Sequence, residues 1–243
     1  FKSEVCMKVL IPMAGEGSRF AKEGYTFPKP LINVDGKPMI QAVVENLDFD
    51  CEYIFLVRKS HLGKYDGLKE TLARITNGRL QIVEVEGLTE GAACTALLAK
   101  EFINNDDDLL IANSDQIIEY QPQNFNTMRN LTNVDAIVWT FNDVHPKWSF
   151  VKTNSRGFCT EVAEKKPISN IATCGIYWYR KGSDFVKSAE QMIQKDIRVK
   201  NEFYIAPVYN ELISGGKTLI PFYVHKMHGI GTPEDLNNYL RKK

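Results

Sequence analysis

The first 141 residues alternate short apolar runs with helical patterns, and this alternation limits the possible folds more than any other feature. The apolar runs show no regular polar alternation, which is typical of strands covered on both faces. Strands that alternate with helices form a parallel sheet through right-handed crossovers. The predicted strands are Lys8–Met13, Tyr53–Val57, Leu80–Val85, Leu109–Asn113 and Ala136–Phe141, and the predicted helices are Met39–Leu47, Leu62–Ile75, Ala92–Ile103 and Gln123–Leu131.

The second half of the chain has a different pattern, with strands that follow one another and few helices between them. We expect this part to complete the sheet and to build a smaller lobe. The sequence therefore predicts a single α/β domain over residues 7–243, Rossmann-like and three-layered, with a mostly parallel central sheet and a smaller mixed-sheet lobe. The predicted strands are Ser149–Thr153, Phe158–Ala163, Thr173–Tyr179 and Thr218–Lys226, and the predicted helices are Asp184–Lys195, Ala206–Ile213 and Glu234–Leu240.

Charge and hydropathy exclude several classes of partner. The chain has 30 basic and 30 acidic residues, so no global positive field would attract nucleic acid or anionic lipid. None of its apolar runs reaches membrane-spanning length. We therefore expect no nucleic acid and no membrane as partners. Residues 1–6 have neither a signal-peptide nor a strand pattern, and we interpret them as a leader or an expression remnant.

The cysteines indicate a reducing compartment. They are odd in number, widely spaced and set in apolar runs, and none of their spacings is typical of metal ligands. We expect buried thiols and a cytoplasmic protein. The five cysteines are Cys6, Cys51, Cys94, Cys159 and Cys174.

A glycine-rich loop follows the first predicted strand, in the stretch "VLIPMAGEGSRF". The loop consists of Ala14, Gly15, Glu16, Gly17 and Ser18. Glycines let the backbone N–H groups approach an anion closely, although a plain tight turn is the simpler alternative. The dinucleotide fingerprint is excluded because a phenylalanine replaces its third glycine, and the Gly-Lys-Ser/Thr ending of the Walker loop is missing.

Two cations accompany this loop. Arg19 ends it, and Lys29 lies between Pro28 and Pro30 in "FPKPLINVDGKPMI". The flanking prolines stiffen the backbone, so that the lysine loses less entropy when it pairs with an anion. Taken alone, Lys29 could equally be a solvated loop lysine. Together, Arg19 and Lys29 predict a site that holds one polyphosphate.

These two motifs resemble the signature of the sugar-1-phosphate nucleotidylyltransferase superfamily, which has a glycine-rich loop with a terminal arginine and then a Pro-Lys-Pro segment. Later segments resemble further motifs of the family in the same order, and the resemblance covers nearly the whole chain. They are "EGLTEGAACTAL", "LLIANSDQII", "EVAEKKPISNIATCGIYWY" and "GIGTPEDLNNYL".

The resemblance implies an enzyme in which an acceptor phosphate attacks the α-phosphorus of a nucleoside triphosphate and pyrophosphate leaves. Residues 7–141 would bind the nucleotide, through the glycine loop, Gly91 and Ala92. Arg19 and Lys29 would hold the leaving pyrophosphate and so act catalytically. Asp115 would bind Mg²⁺, although an aspartate after a strand is also common as a helix cap or Asx turn.

Residues 142–243 would bind the acceptor, with Lys165, Glu164 and Glu202 as the candidate residues. The resemblance assigns Lys165, with Glu164 beside it, to the acceptor phosphate, and a surface lysine is the alternative. Many members carry a second metal-binding aspartate just before the "IGTP" segment, but here that residue is Gly229. Either one carboxylate holds the metal, or another group such as Glu202 compensates. His228 is also available, although a lone histidine is more often structural.

The residue at position 86 bears on the choice of base. In thymidylyl and uridylyl members, a glutamine five residues before the loop glycine reads the base edge, and Glu86 occupies that place here. A carboxylate only accepts hydrogen bonds, which suits the 4-amino group of cytosine and favours CTP. Alternatively, Glu86 points to solvent and main-chain groups near Gly87 read the base.

The acceptor is less visible in the sequence than the nucleotide. Phosphocholine, a phospho-amino acid or a sugar phosphate could fit. The motifs resemble those of short cytidylyltransferases of capsule and surface-polysaccharide synthesis, and this resemblance makes phosphoglutamine a candidate acceptor. Uridylyl or thymidylyl transfer to a sugar 1-phosphate remains open. Outside this class, the alternatives are a glycosyltransferase and a non-enzymatic module that senses a nucleotide.

Overall fold

The computed structural model describes residues 7–242. The segment interpreted as a leader or expression remnant, residues 1–6, lies outside the described residues. The strands are β1 (Lys8–Met13), β2 (Asn33–Val34), β3 (Lys37–Pro38), β4 (Glu52–Arg58), β5 (Leu80–Val85), β6 (Leu109–Ala112), β7 (Gln116–Glu119), β8 (Ala136–Asn142), β9 (Ser149–Thr153), β10 (Cys159–Glu164), β11 (Ile171–Tyr179), β12 (Leu219–Tyr223) and β13 (Lys226–Gly229).

The helices connect the strands and end the chain. They are α1 (Ser18–Lys22), α2 (Met39–Leu47), α3 (Lys59–Lys64), α4 (Gly67–Ile75), α5 (Ala92–Leu97), α6 (Lys100–Ile103), α7 (Pro122–Arg129), α8 (Gly182–Gln194), α9 (Val208–Ser214) and α10 (Pro233–Arg241), with one 3₁₀ helix at Lys29–Leu31.

One nine-stranded sheet runs through both halves of the chain. Its main order is β10-β9-β11-β6-β1-β4-β5, and β8 pairs with both β11 and β12. The strands β6, β1, β4 and β5 are parallel, and β11 runs antiparallel to β6 and β8. Two-stranded sheets are formed by β7 with β13 and by β2 with β3. The predicted α/β class and mostly parallel central sheet are confirmed, and the mixed section completes that sheet.

Helices cover both faces of the sheet. Along β1, Val9 and Ile11 point into one apolar cluster and Leu10 into another, because successive side chains of a strand face opposite sides. The helices α2, α4 and α7 contribute buried residues to the first cluster, and α5, α8 and α9 contribute to the second. This arrangement gives the three predicted layers.

The middle of β11 is kinked at Gly175, where φ is +76° and the pairing register with β8 shifts. A Cβ atom at this position would lie 2.3 Å from Asn113 Nδ2 and 2.5 Å from Gln116 Oε1. The Gly175 carbonyl accepts hydrogen bonds from the Asn113 N–H (3.0 Å) and from Gln116 Nε2 (3.1 Å). Glycine is therefore required where β11 meets the carboxyl end of β6.

Two predicted helices are each divided in the structure. The segment predicted at Leu62–Ile75 forms α3 and α4, separated by a turn at Tyr65 and Asp66. The tyrosine hydroxyl donates to the carbonyl of Thr26 (3.2 Å), so this turn is fixed by a contact outside the helix pattern. The segment predicted at Ala92–Ile103 likewise forms α5 and α6. A tertiary contact thus overrides the helical pattern in the first segment, whereas at the second break the N–H groups of Leu98 and Ala99 donate to carbonyls three residues earlier (both 3.1 Å), which tightens the turn.

The strand predicted at Thr218–Lys226 is also two elements, β12 and β13. Between them, the Val224 N–H donates to the carbonyl of Thr140 on β8 (2.9 Å), and the His225 N–H donates to the carbonyl of Glu119 on β7 (2.8 Å). The chain therefore leaves the large sheet at this point and joins β7. The sequence analysis did not predict β7 or α1.

Burial of the cysteines follows the prediction closely. Cys51, Cys159 and Cys174 are buried, and Cys94 is half-buried, whereas Cys6 lies outside the described residues. Over residues 7–242, no helix combines the length and the apolarity needed to cross a bilayer.

Candidate functional site

A cavity of about 380 Å³ lies at the carboxyl ends of the parallel strands and is called the central cavity below. Its size is that of a small-molecule site. It is the place where open α/β sheets bind their ligands. Among the residues predicted for the site, the central cavity is lined by Arg19, Lys29, Ala92, Asp115 and Glu164.

The glycine loop and the Pro-Lys-Pro segment are in direct contact. Gly17 adopts φ +64°, and a Cβ atom on it would lie 3.3 Å from the Cβ of Lys29. Such a spacing is tighter than an ordinary contact, so glycine lets the loop lie closely on the lysine. Arg19 follows within one turn and is exposed toward the same cavity. The structure thus brings together the two motifs from which an anion site was predicted.

Lys29 contacts a residue that the sequence analysis assigned a separate role. Its ammonium group forms an ion pair with the carboxylate of Asp115, which follows β6. The two side chains are 23% and 28% exposed, so the pair is reachable from the cavity. Asp115 also lies against Gly231, where a Cβ atom would come within 2.4 Å of Asp115 Oδ2. The backbone at Gly231 therefore requires glycine beside this carboxylate.

Arg58, at the end of β4, is a residue of this edge that sequence reasoning missed. Its Nε donates to the carbonyl of Ala14 (2.9 Å), and its Nη1 lies 3.8 Å from Glu16 Oε1. The arginine thus holds the start of the glycine loop in place. A charged residue that ends an apolar strand in a parallel sheet is the signal that could have indicated it.

The opposite wall of the cavity belongs to the second half of the chain. Glu164 accepts a hydrogen bond from the Ser149 hydroxyl, and burial raises the pKa of the Glu164 carboxyl. Lys165 adopts φ +55°, a conformation that is rare outside glycine and is often found at functional sites. Its ammonium group contacts the hydroxyl of Tyr204, a residue that lines the cavity.

Further residues of this wall were not predicted. Lys147, Trp148 and Asp235 line the central cavity, and the Lys147 ammonium lies 4.5 Å from the centroid of the Trp148 ring. Glu202 is exposed and is not part of the cavity lining. The sequence offered little signal for Lys147 and Trp148, because an aromatic residue between strands is more often part of the core.

The segment predicted to read the base, residues 86–91, lies after β5. The Glu86 side chain is 78% exposed, and its Oε1 lies 2.6 Å from the Lys59 ammonium. This ion pair lowers the pKa of the Glu86 carboxyl. Glu86 is outside the lining of the central cavity.

Gly91 ends this segment at a point of close packing. It adopts φ +134°, and a Cβ atom on it would lie 2.5 Å from the backbone N and O of Phe203. The Phe203 N–H donates to the carbonyl of Glu90 (2.8 Å), and the Ala93 N–H donates to the carbonyl of Phe203 (3.0 Å). Residues 7–141 and residues 142–242 are therefore joined backbone to backbone beside Ala92, a residue of the cavity lining.

We expect Gly91→Ala to destabilise the protein by about 1–3 kcal/mol from the backbone conformation alone, with the overlap at Phe203 adding to this. Gly87→Ala is the matched control, because a Cβ atom there meets nothing within 4 Å and its φ is not positive. Chemical denaturation of both variants measures the difference. Equal free energies of unfolding would contradict the packing argument.

These features define a class of protein: an α/β protein in which two cations, Arg19 and Lys29, and the carboxylate of Asp115 line one cavity at the carboxyl edge of a parallel sheet. The chain belongs to the nucleotidyl transferase family, whose model matches residues 8–238.

Curated relatives agree with this family. The bifunctional protein GlmU of Methanocaldococcus jannaschii is 26% identical over 244 residues, which cover 98% of this chain and 55% of the relative. The chain thus spans about half the length of that protein. The UTP–glucose-1-phosphate uridylyltransferase AglF of Haloferax volcanii is 25% identical, with 94% of this chain and 93% of the relative covered.

Solved structures share the fold. A nucleoside-diphosphate-sugar pyrophosphorylase from Vibrio cholerae superposes with a TM-score of 0.81 at 24% identity, over 96% of this chain and 99% of that one. An inositol-1-phosphate CTP transferase from T. maritima superposes with a TM-score of 0.76 at 14% identity, over 98% and 94% of the two chains.

Proposed function

We propose that this protein transfers a nucleoside monophosphate, CMP from CTP, to a small phosphorylated acceptor and releases pyrophosphate. The observation that carries the proposal is the shared cavity in which Arg19, Lys29 and Asp115 face Glu164. Residues 7–141 would bind the nucleotide and residues 142–243 the acceptor. The product would be an activated precursor for capsule or surface-polysaccharide synthesis.

The proposed reaction needs no general base. An oxygen of the acceptor phosphate, already ionised at neutral pH, forms a bond to the α-phosphorus, and the bond from that phosphorus to the bridging oxygen of pyrophosphate breaks. Alignment and neutralisation of charge then lower the barrier. Arg19 and Lys29 would stabilise the charge that grows on the leaving pyrophosphate, and the backbone of the glycine loop would bind the triphosphate.

Members of this family generally use a divalent metal such as Mg²⁺, and the oxygen ligands of this cavity suit it. Asp115 would hold the ion, since its carboxylate lines the cavity and is partly exposed to it. Among residues 7–242, no group of three or more His, Cys, Asp and Glu side chains is arranged around a metal position. Mg²⁺ that is bound through one or two carboxylates and the substrate phosphates needs no larger group. Bound there, it would neutralise phosphate charge.

The preference for CTP rests on Glu86. Because Lys59 lowers its pKa, the carboxyl is ionised at neutral pH and can only accept hydrogen bonds. The 4-amino group of cytosine is a donor, whereas uracil and thymine present a carbonyl oxygen at the same place. A protein of the same fold, the inositol-1-phosphate CTP transferase from T. maritima, is named for its use of CTP.

We expect Glu86→Gln to lower kcat/KM for CTP and to raise it for UTP and dTTP. The change in selectivity should be about tenfold at most, because an exposed ion pair contributes little. Lys59→Gln is the matched control. It removes the ion-pair partner of Glu86 but keeps the Glu86 carboxylate, which would accept the hydrogen bond from cytosine, and should therefore keep the preference for CTP. If Glu86→Gln leaves the ratios of kcat/KM among CTP, UTP and dTTP unchanged, main-chain groups near Gly87 become the candidates for reading the base.

The acceptor in this proposal is a compact phosphorylated compound, and phosphoglutamine is our first candidate. In the cavity wall formed by the second half of the chain, Glu164 can accept a hydrogen bond and Lys147 can donate one, which favours a polar ligand that carries both a donor and an acceptor. Lys165 contributes a positive charge near the cavity, and we assign it to the acceptor phosphate.

Release of pyrophosphate is the measurement that tests the proposal. The purified protein would be incubated with Mg²⁺, one of CTP, UTP, dTTP or ATP, and one of phosphoglutamine, phosphocholine, glucose 1-phosphate or inositol 1-phosphate. We expect the fastest release with CTP and only in the presence of an acceptor. Cleavage of a nucleotide-sugar without pyrophosphate release would indicate a glycosyltransferase instead. Nucleotide binding without turnover on any acceptor would indicate a sensing module.

A further inference from the structure

Besides Asp115 and Glu164, a third carboxylate lines the central cavity. It belongs to Asp235, in the first turn of α10, and it is half-buried. Its position is fixed by Thr232, because the Asp235 N–H donates to the Thr232 hydroxyl (3.1 Å) and that hydroxyl donates to Asp235 Oδ2 (2.9 Å). The other oxygen of the carboxylate is left for a further partner.

The carboxylate of Asp235 lies close to the backbone of Gly229. The resemblance described above implies that many members of the family carry a metal-binding aspartate at the position of Gly229. A Cβ atom built on Gly229 would lie 3.9 Å from Asp235 Oδ2. A carboxylate attached at position 229 would therefore reach into the neighbourhood that the Asp235 carboxylate occupies in this chain.

The backbone between these two residues lies directly on Asp115. The Ile230 N–H donates to the Asp115 carbonyl (2.9 Å), and Gly231 is the glycine on which a Cβ atom would touch the Asp115 carboxylate. A short segment thus connects the metal-binding candidate Asp115 to the capped turn that holds Asp235. Both carboxylates line the same cavity.

Two carboxylates in this arrangement fit a hard divalent cation. Mg²⁺ is bound by one or two carboxylates together with substrate phosphates and water. The metal would have to take the place of the Lys29 ammonium group on Asp115, and Lys29 would then be free to pair with a substrate phosphate. We propose that Asp235 is the second protein ligand of the metal and replaces the aspartate that many members of the family carry at position 229.

The inference rests on the proposed function for the choice of metal, but its test does not need turnover. Binding of Mn²⁺ to the protein alone can be measured from the loss of the free-ion signal in electron paramagnetic resonance. We expect Asp235→Asn to raise the dissociation constant about tenfold. Glu234→Gln removes an exposed charge from the same helical turn and should leave the constant unchanged.

Gly229→Asp provides a gain-of-binding test. Its Cβ would meet only ordinary contacts, at 3.9 Å and 4.0 Å, and Gly229 does not adopt a positive φ. In the wild-type background this variant should bind Mn²⁺ more tightly, and in the Asp235→Asn background it should restore the lost affinity. The increase in Mn²⁺ affinity in the wild-type background can be measured even if Asp235→Asn fails to fold.

The inference is overturned if Asp235→Asn folds and binds Mn²⁺ as the wild type does, if Gly229→Asp adds no affinity in either background, or if the wild type binds no Mn²⁺ at millimolar concentrations. The proposed function fails separately. A protein that needs both aspartates for Mn²⁺ but releases no pyrophosphate with any substrate pair would keep the metal site and lose the nucleotidyl transfer.

Discussion

Replacement of Asp115 by asparagine is expected to lower kcat for pyrophosphate release by about a hundred- to a thousandfold. The substitution keeps the shape of the side chain but removes the charge that would hold Mg²⁺ against the phosphates. Raising the Mg²⁺ concentration should recover only part of the loss, because the nucleotide itself also carries metal. The measurement is the rate of pyrophosphate release as a function of Mg²⁺ concentration.

Asp106→Asn is the control for this experiment. Asp106 lies in the exposed loop before β6, with a side chain that is 77% exposed and paired with Lys181. It should keep normal turnover, and both variants should unfold at temperatures close to that of the wild type. Near-normal kinetics of Asp115→Asn at limiting Mg²⁺ would remove Asp115 from the metal site and leave it as a cap of the turn after β6.

The second large effect is expected at the two cations. Lys29→Met and Arg19→Ala should each lower kcat by about a hundredfold, because a charge-assisted contact to the leaving pyrophosphate is lost in the transition state. The variants should differ in a second measurement. Lys29→Met frees the Asp115 carboxylate and should tighten Mn²⁺ binding to the protein alone, whereas Arg19→Ala should leave that affinity unchanged.

Lys22→Met serves as the control, since Lys22 is an exposed lysine on the same short helix as Arg19. A structural role would give a different result: the variants would lose thermal stability and keep their turnover. That outcome at Lys29 would mean that the ion pair with Asp115 serves the fold rather than the reaction.

Part of the site could be predicted from the sequence because it depends on short-range chemistry. A glycine loop after an apolar strand has few conformations, and a lysine between prolines has few orientations. The contact of Gly17 with Lys29 follows from these two constraints. The strands themselves were predictable for a similar reason, since continuous burial on both faces leaves a clear apolar pattern.

The remaining parts depend on which elements become neighbours. The pair of Lys29 with Asp115 joins residues that lie 86 positions apart, and its formation requires that β1 and β6 be adjacent. The ion pair of Glu86 with Lys59 depends on the parallel pairing of β4 with β5, since the two residues directly follow these neighbouring strands. Asp235 gave only a helix-start signal, because the same Thr-Pro-Glu-Asp pattern caps many helices.

The single sheet has a consequence for how such a chain can be divided. The strand β11, from the second half of the chain, pairs with β6, whose residues Leu109–Ala112 are all buried. A fragment that ended at residue 141 would lack β11 and would expose β6 as a bare apolar edge, which is a template for aggregation. The two halves are therefore not interchangeable modules. If the proposed function holds, new acceptor specificities on this scaffold have to arise by substitution within the wall of the cavity rather than by exchange of domains.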